Sequence, residues 1–343
     1  MKLKDYQRKV YAKMTAIKFF FSTDVHGSET SIRKFLNALK IYNVKIGILL
    51  GDLSGKMINP IVKQPDGYYT CDFMGHTVVA KTEEELSELE RRISLTGNYY
   101  HVLTPEEMNE LLAEGKTIDG RIDAQVRKIH LGAGKTEELF RGLVIERIKN
   151  WDKLIEERLK NTGIRMFIAP GNDDILEADD ALDNFTYAIN ADNRKVSISD
   201  HEMVTLSWAN HTPWDTPREC TEEELAEKID KLTSQIENME KAIFNFHIPP
   251  YGTSLDQAYK LSKDLVPSVS EIISVGSKAV LNAIKEHQPL LGLHGHIHES
   301  RGIHKIGRTT CVNPGSEYSE GILRGVIITL DGDKVKNVQF TSG

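Results

Sequence analysis

The chain has 343 residues, 40% hydrophobic and 27% charged, a globular composition with room for one large domain or two ordinary ones. No apolar run approaches the ~20 residues that a membrane helix needs, which argues against a membrane partner. The net charge of −7 runs through both halves, which argues against broad grip on polymeric nucleic acid but allows a small phosphorylated substrate held by bound cations.

The first segment, Met1–Phe21, is basic with a short apolar stretch that leads straight into a polar motif. It reads as a leader into a first strand, not as a signal peptide. Ala16–Ser22 runs into Thr-Asp-Val-His-Gly, and Ser28 can cap a helix carrying Ile32, Phe35, Leu36 and Leu39 on one face. Lys45–Leu50 then runs into Gly-Asp-Leu. Residues 57–163 interrupt the rhythm, being far longer than a strand-to-strand crossover requires. They read as an inserted cap or subdomain within a single domain spanning 1–343. The insert holds a hairpin (Gly67–Ala80), capped helices starting at Thr82 and Thr104, and a charged helix near Thr136–Lys160, so it is expected to be mostly helical. Gly132-Ala-Gly-Lys-Thr136 mimics a nucleotide-binding P-loop, but Ile129 stands where that motif needs Gly, and no strand leads in.

Beyond the insert, Arg165–Ala169 runs into Pro-Gly-Asn-Asp-Asp, Ala242–Phe246 into His-Ile-Pro-Pro, and Pro289–Leu293 into His-Gly-His-Ile-His. Thr221 and Glu224 form a capping-box signature before Leu225, Ile229, Leu232 and Ile236. The tail from Thr309 to Phe340 reads as β, with Gly325–Leu330 and Val335–Phe340 around an Asp-Gly turn. Short apolar runs bounded by turn residues suit buried strands, and their alternation with helices predicts an α/β layered fold. Cys71, Cys220 and Cys311 are odd in number and widely spaced, with neither disulfide nor zinc spacing, so a reducing cytoplasm is the expected compartment.

The chemistry lies at five of these strand ends, each of which carries metal-ligand residue types. In layered α/β folds, sites form in the crevice beyond the carboxyl ends of strands, so ligands distant in sequence can converge. On an extended chain residues i and i+2 point to one side, which would let Asp24 and His26, or His296 and His298, approach one cation together. Gly295 leaves room for close backbone approach. Asp52, between Gly51 and Leu53, is placed to set one carboxylate between two ions, and Asn172 offers a neutral amide oxygen. Imidazole nitrogens mixed with carboxylates suit Mn, Fe, Zn, Co or Ni better than Ca or Mg.

Asp24-x-His26, Gly51-Asp52, Gly171-Asn172-Asp173-Asp174, His247 and Gly295-His296-x-His298 together resemble the calcineurin-like metallophosphoesterase superfamily. Asn245-Phe-His-Ile-Pro-Pro-Tyr-Gly-Thr253, Gly295-His-Ile-His-Glu-Ser300 and Val312-Asn-Pro-Gly-Ser316 resemble a largely uncharacterised prokaryotic branch of predicted phosphoesterases. The resemblance covers roughly residues 16–56 and 164–335, not the insert. It implies a four-layer α/β/β/α sandwich, two mixed β-sheets packed face to face with helices outside. It also implies two divalent transition-metal ions. One would take Asp24, His26 and His298, the other Asn172, His247 and His296, with Asp52 bridging. The activity implied is hydrolysis of a phosphodiester or nucleotide-type substrate by a metal-bridging hydroxide.

One departure bears on mechanism. Relatives with strong phosphatase activity commonly carry His directly after the motif Asn, where it can protonate the leaving oxygen, but here Asp173 follows. A carboxylate beside two cations stays ionised and donates poorly, so acidic leaving groups and diesters are expected, unless His201, His211 or His294 serves instead. The catalytic candidates are therefore Asp52, Asp173 and His294, with Asn172, His211 and Trp214 as substrate-binding candidates. The loop Trp208–Trp214 could equally be an ordinary ordered loop, and Asp174 is expected to orient a neighbour. Asn313-Pro-Gly-Ser316 reads as a tight turn. A metal-binding scaffold without catalysis, or a nuclease on polymeric nucleic acid, are the competing readings. The first predicts eroded ligands and the second a basic track, and the sequence shows neither. The insert is expected to shape access to the site or to provide a homo-oligomer contact.

Overall fold

The computed structural model describes residues 16–114, 117–118, 121–123, 134–262 and 267–343. Most of the N-terminal leader, and Gly132 and Ala133 of the P-loop-like stretch, lie outside them.

Strand alternation explains the layers. In Ile17–Thr23, Phe19 and Phe21 face one apolar cluster while Phe20 faces another, and in Ile46–Leu50 the pairs Ile48/Leu50 and Leu49 divide the same way. The first sheet runs Ile189–Asn190, Arg165–Ala169, Ile46–Leu50, Ile17–Thr23, Arg324–Asp331 and Lys334–Ser342. Its first four strands are parallel and its last two antiparallel. The second runs Lys195–Ile198, His201–Leu206, Ala242–Phe246, Leu291–Leu293, Thr309–Asn313 and Gly302–Ile306, parallel through its middle four strands. Phe19, Phe21, Ile48 and Phe167 from the first sheet meet Met203, Ile243, Leu291 and Val312 from the second. Outside the first sheet lies the helix Glu29–Ile41, capped by Ser28, whose Oγ accepts from the Ser31 N–H. Outside the second lie Glu222–Thr233, with the expected Thr221/Glu224 capping box, and Lys278–His287. The four-layer sandwich expected from the resemblance is the fold observed.

The insert holds more β-structure than its helical signals suggested. The hairpin expected at Gly67–Ala80 forms as Tyr69–Phe73 and His76–Ala80. It continues a sheet through Met57–Lys63, Arg121–Asp123 and Thr117–Ile118, with Tyr99–Leu103 parallel to Met57–Lys63. Pro60 hid the central strand, because Pro is rarely found away from sheet edges. It falls in the gap between the pairing of Met57 and Ile58 with one neighbour and of Val62 and Lys63 with another. Ile61 and Phe73 pack under the helix Glu83–Leu95, while Ile58, Tyr99 and Leu103 join the cluster outside the first sheet. Helix Lys135–Leu159, expected as part of the inserted cap or subdomain, packs on the first sheet. Its buried face, Phe140, Val144, Ile148, Trp151 and Ile155, lies in the same cluster as Phe20 and Leu49, so it serves as a core helix of the sandwich. Among the described residues no helix is long and apolar enough to cross a membrane.

Candidate metal centre

The strands Ile17–Thr23, Ile46–Leu50, Arg165–Ala169, Ala242–Phe246 and Leu291–Leu293 all point their carboxyl ends at one crevice. The chain leaves them through tight loops rather than extended backbone. Asp24 (φ 53°), His26 (φ 40°), Asp52 (φ 45°) and His296 (φ 66°) all lie in the left-handed region. The i, i+2 pairs therefore converge by curling, not by the strand alternation that their spacing suggested. Such backbone costs of order 1 kcal/mol per non-glycine residue and persists only where the surroundings hold it.

The surroundings here are well defined. The buried Asp174 carboxylate accepts from the N–H groups of Leu53 (2.9 Å), Ser54 (2.6 Å) and Gly171 (2.7 Å), buckling two ligand loops together. The His26 N–H donates to Asp52 O (2.8 Å), and the Asp173 N–H to Asp52 Oδ1 (3.0 Å). Thr23 Oγ1 donates to Asp24 Oδ2 (2.7 Å) and Ser316 Oγ to Asp24 O (2.7 Å). Asn313 donates to the carbonyls of Gly295 and Ile297, fixing the His296–His298 loop. At Gly295 a Cβ would fall 2.1 Å from Thr23 Oγ1 and 2.4 Å from Asp24 Oδ2, so only glycine admits this close approach.

Two donor groups result. Asp24, His26, Asp52 and His298 form one, and Asp52, His247 and His296 the other, each with its ligand atoms within 4.8 Å of one another. Asp52 belongs to both. Its Oδ2 lies 3.7 Å from His26 Nε2 and its Oδ1 3.4 Å from His247 Nε2. His26 Nε2 and His298 Nε2 face each other at 3.1 Å, and Asp24 Oδ1 is 3.5 Å from His298 Nε2. Asn172 Oδ1 meets His247 Nε2 (3.0 Å) and His296 Nδ1 (2.6 Å), while its amide nitrogen donates to Thr216 Oγ1 (2.8 Å). All seven expected ligand residues are thus brought together. Asp24, His26, Asp52, Asn172 and His247 are buried, and His296 and His298 sit at the edge of the crevice.

The electrostatics of this cluster ask for cations. Burial, together with the Asp173 carboxylate, pushes Asp52 up to about 6. Burial acts to lower His247, yet the adjacent Asp52 outweighs it and lifts the imidazole to about 9. Burial acts to raise Asp24, but the His298 hydrogen bond and the charges of His247, His298 and His26 hold it well below the usual carboxylate range. Burial and the charge of His247 take His296 down to about 3. A cation would compete with the proton that Asp52 stabilises on His247, and the ligand atoms of each group stand within 4.8 Å of one another. Nitrogen and oxygen donors in this mixture fit divalent transition metals.

The other candidates separate. Asp173 is at the site, with Oδ2 3.8 Å from His26 Nδ1. His294 is buried beside the ligands, but its Nδ1 faces Phe246 O (2.8 Å) and its Nε2 faces Gly292, so it supports the strand ends rather than reaching the crevice. His201 is turned to Gly332 O at the far end of its strand. His211 and Trp214 are exposed on the loop that carries Thr216, and it is Thr216 that touches a ligand. Besides Thr216, two neighbours went unnoticed in the sequence. Lys56 Nζ lies 2.8 Å from Asp173 Oδ2, and the Tyr318 ring packs 4.5 Å from that of His26. Neither sits in a motif. The only signal for Lys56 was its place four residues after Asp52.

No protein-family model matches the chain. The uncharacterized protein MJ1162 of Methanocaldococcus jannaschii is 36% identical over 153 residues, which is 44% of this chain and 64% of the relative, less than two thirds of its length. One crystal structure shares 14% identity with a TM-score of 0.55, covering 95% of this chain and 98% of that one. TT1561 of Thermus thermophilus gives 14% identity and a TM-score of 0.50, covering 96% and 99%. These likenesses speak to the fold. The fold and the order of the ligand residues agree with the resemblance to the calcineurin-like metallophosphoesterase superfamily.

Proposed function

We propose that the chain is a dinuclear-metal phosphoesterase acting on a phosphodiester or nucleotide-type substrate. The observation that carries this reading is the sharing of Asp52 between two donor groups, because a single carboxylate between two cations is what a two-metal site requires. Asp24, His26 and His298 would hold one ion and Asn172, His247 and His296 the other. Ions held there would activate water at neutral pH and offer positive charge to the phosphoryl oxygens.

The chain's own residues supply the rest. Asp52 keeps the two groups at fixed separation, since both its oxygens already face imidazoles. Asp174 and Asn313 tie the loops that carry the candidate ligands to one another and to the strand ends. Burial acts to raise Asp173, but Lys56 and His26 hold it well below the usual carboxylate range, so it cannot serve as the proton donor to a leaving oxygen. That supports substrates whose leaving groups depart without help, and diesters over alkyl monoesters.

The test is hydrolysis of an activated aryl phosphodiester and of its monoester after loading with Mn, beside an Asp52→Asn control. Turnover that falls at least about a hundredfold in the control, with the diester preferred, is expected. Undiminished activity in Asp52→Asn would sink the reading.

A further inference from the structure

We propose that Lys56 is a substrate-contacting residue: its ammonium, tethered by Asp173 at the mouth of the metal centre, binds a phosphoryl oxygen of a singly charged phosphodiester. This rests on the phosphoesterase reading and names a substrate contact at that same site.

The placement is built, not incidental. The backbone leading to Lys56 is pinned on both sides. The Ser54 N–H donates to Asp174, and the Gly55 N–H donates to the buried Tyr99 hydroxyl (3.0 Å). At Gly55 a Cβ would come 1.9 Å from Gly97 O, so this backbone lies against backbone. From that fixed start the side chain reaches Asp173, which is 7% exposed, while Lys56 itself keeps about a third of its side chain open. Asp173 in turn donates its N–H to Asp52 Oδ1 and lies beside His26. The ammonium is therefore held at the rim of the donor cluster. An ammonium carries three donor protons, and its contact with Asp173 leaves capacity for an anionic oxygen.

Charge sets the substrate class. The Lys56–Asp173 pair is neutral as a unit, so it offers a directed donor without adding net positive charge to that of the proposed ions. A singly charged diester gains the hydrogen bond in full. The second negative charge of a monoester meets Asp173, and the pair offers it no further cation.

The experiment compares wild type, Lys56→Met, Lys56→Arg and Asp173→Asn as full-length, metal-loaded protein. Metal content is measured by elemental analysis, inorganic phosphate binding by calorimetric titration, and aryl diester and monoester hydrolysis at steady state. Lys56→Met should keep its metal, weaken phosphate binding and cut diester kcat/KM by roughly 10- to 100-fold, the range for a charge-assisted hydrogen bond. Lys56→Arg should recover most of both. Asp173→Asn should shift the diester-to-monoester ratio towards the monoester, because the lysine charge is then unopposed. Unchanged phosphate affinity and kinetics in Lys56→Met, loss of metal in that variant, absent phosphate binding in wild type, or an unmoved ratio in Asp173→Asn would each overturn the proposal. Wild type that binds metal and phosphate but turns over neither ester would instead remove the hydrolase reading, and the phosphate titration of Lys56→Met would still decide the role of Lys56.

Discussion

Asn172 shows how a neutral ligand is aimed. An amide can present either its oxygen or its nitrogen, and only the oxygen binds a metal. Thr216, at the shorter distance, and Asp173 both accept from the nitrogen, and Glu219 holds Thr216 by accepting from both its N–H and its hydroxyl. Thr216→Val should let the amide turn, weakening one metal site by roughly tenfold or more while the other holds, and Thr216→Ser should restore it. A titration of metal against the variant reads this as a second ion bound distinctly more weakly than the first. Nothing in the sequence marked Thr216, because the bond joins residues 44 positions apart through a loop with no periodic pattern. The convergence of the seven candidate ligand residues was legible, since each follows a short apolar run in a fixed order. Lys56 and Tyr318 were not, for they reach the site from segments whose direction only the tertiary fold sets.

At the scale of elements, the short buried strands were readable because period and turn residues agreed, as in Arg165–Ala169 before Pro-Gly and Ala242–Phe246 before His-Ile-Pro-Pro. Met57–Lys63 was not, since Pro60 contradicts a central strand on local grounds. The joint between that sheet and the ligand loops is made of glycine. Gly97 has φ +90°, and a Cβ there would stand 2.2 Å from His26 O, while one at Gly27 would meet Gly97 O at 2.4 Å. No side chain separates the two elements. Gly97→Ala should therefore cost about 2–4 kcal/mol through both the left-handed backbone and the forced displacement, and the displacement falls on His26. Chemical denaturation checks the first effect and metal titration the second. A variant that unfolds at the wild-type midpoint and binds metal normally would refute this account of the joint.

At the scale of the whole molecule, the stretch after Asp52 packs into the same core as the sandwich. Ile58, Tyr99 and Leu103 lie in the same apolar cluster as Phe20, Leu49 and Ile168, and Arg147 donates to both Gly27 O and Asn98 O across the boundary. Replacing residues 57–134 by a short linker should leave a protein that is both unstable and depleted of metal, read by thermal unfolding and elemental analysis together. A stable, fully metallated product would show that the segment only gates access. The sandwich itself is filled by hydrocarbon along most of its length, but where the strands end its two sheets face each other through carboxylates, imidazoles and the Asn172 amide. Each donor group draws on both sheets: His298 joins Asp24, His26 and Asp52 across the gap, and His247 and His296 join Asp52. On the proposed reading, a cation seated there would close the open end of the sandwich as well as equip it for chemistry. Any ligand that binds only the folded chain draws the folding equilibrium with it. Withdrawing that cation would then be felt as a loss of folded molecules as well as a loss of rate.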